Sequence, residues 1–165
     1  MVKSKTYELL GTDLALTRYS GVASAVPLEV ADSWGSLDVQ VVPGGQGGLP
    51  KKGTVSDLGL TSGRANLAQA LVLRLLTRQG ALTGLGHPAY GSRLTELIGE
   101  LNNERTRNLA RLYTIETIRQ EPRVAELLDI FVETSTAEFE TIRIGFSVRP
   151  VNDDDPLALA LDVSL

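Results

Sequence analysis

The sequence predicts an α+β domain: two to three helices packed on a small antiparallel sheet of C-terminal strands, behind an irregular N-terminal arm. Three observations predict it. Gly63–Gly80 is leucine-rich at helical spacing, and a second helical run begins near Asn102 or Asn103 and reaches about Gln120. Pro122 then stops the helical pattern. From there to Leu165 apolar and polar residues alternate with the two-residue period of half-buried strands. Helices followed by a run of strands point to segregated layers, not to alternating βαβ units.

Residues 1–56 read as the arm. "YELLGTDLALT" (Tyr7–Thr17) offers a short extended segment, and Ser36–Pro43 alternates weakly enough for one strand. Pro43–Gly53, "PGGQGGLPKKG", is a loop in which glycine supplies backbone freedom and proline punctuates. Residues 57–165 read as the domain proper. Thr61 or Ser62 can cap its first helix and Gly80 can close it. Leucine, valine and alanine surround most of that helix, which predicts central burial. A Gly/Pro loop follows, then a short helix near Ser92–Gly99. On the second long helix Leu109, Leu112, Ile115 and Ile118 form an i, i+3 row, with Ala110 and Tyr113 beside it and Arg107, Asn108 and Arg111 mostly opposite. The strands are "ELLDIFVET", then a segment with Ile142, Ile144, Phe146 and Val148 on one face, then "LALALDVSL" with Leu157, Leu159, Leu161, Val163 and Leu165 on one face. They predict a three-strand meander.

Composition narrows the function. A chain of 165 residues is one domain's worth and buries roughly 68–70% of its unfolded surface, so it needs no crosslinks to fold. The absence of cysteine removes disulfides, thiol nucleophiles and cysteine zinc sites. No signal-peptide pattern and no apolar run of spanning length stands out, so the chain is expected to stay soluble in the cytoplasm unless it leaves within a larger particle. Charge is uneven: Gly63–Arg123 carries nine arginines and five carboxylates, whereas Val124–Leu165 carries two arginines and nine carboxylates. Every base after Lys52 is arginine, whose planar fork suits interfaces and bidentate carboxylate contacts. With a net charge of −4 and no aromatic-interleaved basic motif, nucleic acid is not an expected partner, nor is a membrane.

Little in the sequence points to reaction chemistry. His87, the one histidine, lies in a glycine-rich loop with no triad or metal partner in sequence. "GLPKKGT" (Gly48–Thr54) misplaces the lysine of a phosphate loop. Asp153–Asp155 are consecutive, unlike the alternating ligands of a calcium loop, and read as a solvated turn. Glu96, Glu100, Glu104 and Glu121 are available for glycoside hydrolysis, but Arg123 beside Glu121 pulls its carboxyl away from the raised pKa of a general acid. No catalytic residue, metal or cofactor is assigned. The remaining feature is Glu121-Pro122-Arg123, two charges across a proline where helix becomes strand. They either pair within the fold or present a fixed docking point.

"NLAQALVLRLLTRQGAL", "HPAYGSRLTELIGE", a helix ending in "EPRV" and a strand-rich tail, in that order, resemble the baseplate wedge and sheath-initiator family. That family occurs in contractile phage tails, type VI secretion baseplates and extracellular contractile injection systems, and carries a historical "lysozyme-like" label. The resemblance covers Asp57–Leu165, and "GTDLAL" adds to it near the N-terminus, while the Gly/Pro loop departs from compact members. It implies a structural, non-enzymatic role, with no cofactor. It further implies that Glu121, Pro122 and Arg123 dock on the helical core bundle of larger wedge subunits. Leu157, Leu159, Leu161, Val163 and Leu165 would belong to a strand that pairs with the first sheath ring. Six copies around the inner tube or hub are expected. The alternatives are a peptidoglycan-hydrolysing enzyme, following the old label, and a regulatory adaptor that reuses the fold.

Overall fold

The computed structural model describes residues 10–16, 41–43, 56–136 and 138–165. Most of the arm, including Ser36–Gln40 of the weak strand and Gly44–Gly53 of the Gly/Pro loop, lies outside them. The class is α+β, with two long helices against a three-stranded antiparallel sheet. Two small ribbons stand before the first helix. Strand β1 (Thr12–Leu14) pairs antiparallel with β4 (Leu60–Ser62), and β2 (Val41–Pro43) with β3 (Ser56–Leu58). Among the described residues no helix is long and apolar enough to cross a membrane.

Helix α1 spans Gly63–Leu76. Ser62 stands at its N-cap with no side-chain cap bond, and the Gly63 amide donates to Gly11 O at 3.2 Å instead. The helix ends four residues before Gly80. Thr77 turns extended there, donates its hydroxyl to Leu73 O (2.7 Å) and accepts the Ser92 amide (2.7 Å). That exchange closes the loop from Thr77 to Ser92 on itself. Gly91 is the hinge of the closure: its φ is +106°, and a Cβ there would stand 2.7 Å from backbone atoms of Thr77 and Arg78. A 3₁₀ turn at Leu94–Leu97 follows, where the short helix was expected. Leu67, Leu71 and Leu75 of α1 are fully buried and no residue of the helix is exposed, as an all-round apolar helix requires, and Leu94 of the 3₁₀ turn is fully buried as well.

Helix α2 spans Glu104–Arg119, and the Asn103 side chain caps it, its Oδ1 accepting the Thr106 amide at 3.0 Å. Its buried face differs from the predicted row. An i, i+3 row slips back about 60° per step, so Leu109 and Ile118 point to opposite sides. Leu112 is accordingly 47% exposed, while Thr106, Ala110, Tyr113, Thr114, Thr117 and Ile118 face inward. Threonine hides this stripe from a hydropathy reading. The hydroxyls of Thr114 and Thr117 donate to the carbonyls of Ala110 (2.8 Å) and Tyr113 (2.7 Å), so the helix satisfies its own buried polar atoms.

The C-terminal meander runs β5 (Val124–Thr134), β6 (Thr141–Pro150), β7 (Leu157–Ser164), with order β5-β6-β7. Ile142, Ile144, Phe146 and Val148 meet the helices, and Leu159, Leu161 and Val163 continue the same face. The opposite face carries two cross-strand ion pairs, Arg143 with Asp162 and Arg149 with Glu126. Between them the Phe131 ring lies over Gly145, where a Cβ would collide with it.

The N-terminal segment is tied into this body by two amide side chains of α1. Asn66 Nδ2 donates to Leu10 O (2.8 Å), while Gln69 donates to Leu14 O (2.8 Å) and accepts from the Leu16 amide (2.9 Å). Leu10 is thereby fully buried in the core.

Gly91→Ala is expected to cost about 3 kcal/mol or more in urea unfolding, because it combines left-handed strain with a backbone collision. Gly86→Ala, also left-handed but facing open space, should cost about 1 kcal/mol.

Candidate functional site

The joint between α2 and β5 is built around one carboxylate. The last turn of α2 delivers Glu121, whose amide donates to Ile118 O at 3.0 Å before Pro122 ends the helical path. Glu121 is 4% exposed, whereas Pro122 is exposed and Arg123 intermediate. Oε1 of Glu121 accepts Arg123 Nε at 2.6 Å and the Arg123 amide at 3.3 Å. Oε2 faces Arg74 Nη2 of α1 at 3.5 Å. Arg123 Nη1 reaches on to Leu10 O (3.2 Å), and the Arg123 carbonyl accepts the Val151 amide (2.9 Å). Arg74 lies over the Tyr90 ring, 4.7 Å from its centroid, which brings the closed loop into the same cluster. Arg74 Nε is buried there without a hydrogen-bond partner.

Glu121 and Arg123 therefore do pair within the fold, and the same pair leaves Pro122 and part of Arg123 facing outward. Burial alone would raise the Glu121 carboxyl. The hydrogen bond and charge of Arg123, with Arg74 behind, outweigh it and hold the group below its ordinary value. Burial pushes the Tyr90 phenol up. Of the other glutamates weighed for hydrolysis, Glu96 is exposed, and its bond to Arg93 lowers its carboxyl, against the desolvation that would raise it. Both shifts run opposite to that of a general acid.

The second predicted surface is β7. Leu157, Leu159, Leu161, Val163 and Leu165 fall where the alternation put them, packed in or against the core. The groups a neighbouring strand would meet belong to the residues between them. Leu165 N donates to Glu140 O at 2.8 Å, opposite in register, so the odd-numbered residues of β7 are those bonded to β6. Ala158, Ala160, Asp162 and Ser164 then direct their backbone N–H and C=O away from β6. Among the described residues no strand pairs with that edge. The turn leading into β7 is held by Arg64 of α1, whose Nη1 donates to Asp153 Oδ2 (2.8 Å) and Asp155 O (2.7 Å). Burial would raise the Asp153 carboxyl, but the bond and charge of Arg64 and the Asp155 amide, which donates to Asp153 Oδ1 at 3.1 Å, keep it low. His87 is exposed in the closed loop. Sequence reasoning missed Arg74, Arg64 and the even-numbered edge. A lone arginine in a leucine-rich turn was the available signal for Arg74. Nothing local marks the reach of Arg123 to Leu10.

Glu121→Ala should destabilise the domain by about 3–5 kcal/mol, since it strands two guanidinium groups near a buried site. Because the folded carboxyl titrates below its ordinary value of 4.5, its contribution is complete above that pH and disappears as pH falls through the folded pKa. Acid unfolding of Glu121→Gln, followed by circular dichroism, should accordingly have a shallower pH dependence below 4.5 than that of the unsubstituted protein.

No protein-family model matches the chain, and no curated protein matches it. Among solved structures it is similar to a Geobacter sulfurreducens protein provisionally described as a tail lysozyme. The two are 22% identical with a TM-score of 0.53, over 61% of this chain and 88% of the other. This chain thus shares the fold of a tail-related protein.

Proposed function

We propose that the protein is a non-enzymatic structural component of a contractile phage tail or tail-like particle, that it docks on larger baseplate wedge subunits, and that it templates sheath assembly. The observation carrying this is the open edge of β7. Four consecutive outward positions there, Ala158, Ala160, Asp162 and Ser164, have short side chains, so a strand of the first sheath ring can approach the backbone closely. A preformed edge replaces the slow nucleation of strand pairing with addition to an existing template. The fold shared with a tail protein supports the setting.

In this reading the Glu121-Pro122-Arg123 turn is the wedge contact, with a division of labour. Glu121 is a positioning residue that fixes the turn from inside. Pro122 and the outer part of Arg123 meet the partner core bundle, losing little entropy because the turn is already fixed. Six copies around the inner tube fit such a role, with assembly in the cytoplasm before incorporation. The lysozyme description of the structural neighbour favours a hydrolase as the second reading, and it requires a carboxyl of raised pKa, against the lowering at Glu121 and Glu96.

Truncating β7 would remove Leu159, Leu161 and Val163 from the core, so a backbone-only change is the cleaner test. Ala158→Pro deletes one outward donor and keeps the β6 ladder. Cells carrying it should assemble baseplates without sheath, as seen by electron microscopy, and the purified variant should keep its circular dichroism spectrum. Normally sheathed particles would refute templating by this edge. Pro122→Arg should leave the domain folded and prevent baseplate assembly, and clearing of peptidoglycan by the purified protein would instead establish the hydrolase.

A further inference from the structure

Two loops at one end of the sheet carry the most exposed of the large apolar side chains among the described residues. Phe139, in the β5–β6 turn, is 89% exposed, and Leu101, between the 3₁₀ turn and α2, is 80% exposed. They are held together, since Asn102 Nδ2 donates to Phe139 O at 2.6 Å. The Leu101 loop is also fixed from behind. Thr106 Oγ1 donates to Leu101 O (2.7 Å), and Arg107 Nη1 donates to Asn102 Oδ1 (2.9 Å). Ile98, in the same turn as Leu101, is 54% exposed. Scattered apolar side chains on a surface need no explanation, but here the two most exposed ones stand on loops joined by a hydrogen bond, with Ile98 three residues before Leu101.

The rim of this patch is acidic. Glu100 precedes Leu101, and Glu138 and Glu140 flank Phe139, all three exposed. Arg107, the base tied into these loops, is engaged with Asn102 and Thr134, and exposed Glu104 and Arg105 offset one another in the first turn of α2. The Thr141 hydroxyl occupies one oxygen of Glu138 and leaves the other open.

We propose that the Leu101–Phe139 patch is a second docking surface, for an extended segment of a partner protein that carries apolar side chains interleaved with lysine or arginine. The apolar side chains cover Leu101, Phe139 and Ile98, and the bases meet the glutamate rim, which sets partner choice more than strength. The surface borders the end of β7, where Glu140 O accepts the Leu165 amide, but it shares no residue with the outward edge of that strand or with the Glu121 turn, so it stands whether or not those surfaces act as described above.

The test uses the isotopically labelled full chain and two capped hexapeptides, one alternating lysine with leucine and one alternating glutamate with leucine. The lysine peptide should bind about tenfold more tightly or better, with NMR shift changes centred on Leu101, Asn102 and Phe139. Leu101→Ser/Phe139→Ser should lower that affinity about tenfold without changing the thermal midpoint, since both side chains are exposed. Glu100→Gln/Glu140→Gln should erase the preference for the lysine peptide. Equal binding of both peptides, no binding, or shift changes confined to Ala158–Ser164 would overturn the proposal. So would a concentration-dependent dimer lost in the Leu101/Phe139 variant, which would make the patch a contact between copies of this chain.

Discussion

A single buried carboxylate organises the part of the molecule where four segments meet. Glu121 binds Arg123 beside it in sequence and Arg74 across on α1, and through them it reaches Tyr90 of the closed loop and Leu10 of the N-terminal segment. A carboxylate with 4% exposure would be costly alone. Two guanidinium groups and a backbone amide compensate it, and their geometry specifies where α2 ends and β5 begins. Pro122 contributes by subtraction, because it cannot extend the helix and so leaves Glu121 at the corner. The outward surface at this corner is thus set by inward contacts.

The sheet divides its tasks by parity. Odd-numbered residues of β7 supply core side chains and the ladder to β6, while even-numbered residues supply the open edge. Arg64 governs the approach to that strand by gripping the acidic turn at Asp153 and Asp155. Both arginines of α1 that make long-range contacts therefore position the two candidate surfaces, Arg74 the joint and Arg64 the strand. Neither needs to touch a partner to affect one.

Periodicity made the helices and the meander legible, because burial on one face imposes a repeat that hydropathy records. It misled on α2, where the buried stripe is rich in threonine and the leucine row winds outward to Leu112. Thr114 and Thr117 pass as core residues only because their hydroxyls bond to carbonyls four residues back, a compensation that composition does not reveal. The Glu121-Pro122-Arg123 joint was visible as a motif. Its partners were not, since the contact from Arg123 to Leu10 spans 113 residues and Arg74 belongs to another helix. Which side of β7 is open was likewise unreadable: alternation assigns side chains to faces but says nothing of which backbone groups are already bonded.

An edge read through its peptide groups is blind to the identity of the strand that joins it. Ala158, Ala160 and Ser164 offer no bulk to exclude a wrong sequence, and the one charge in the row, Asp162, is already neutralised by the fork of Arg143. The same bareness that would admit a foreign strand would admit a sister copy. Fidelity at such a border has to come from timing and geometry, meaning which chain is held alongside first, and not from the letters of the border itself.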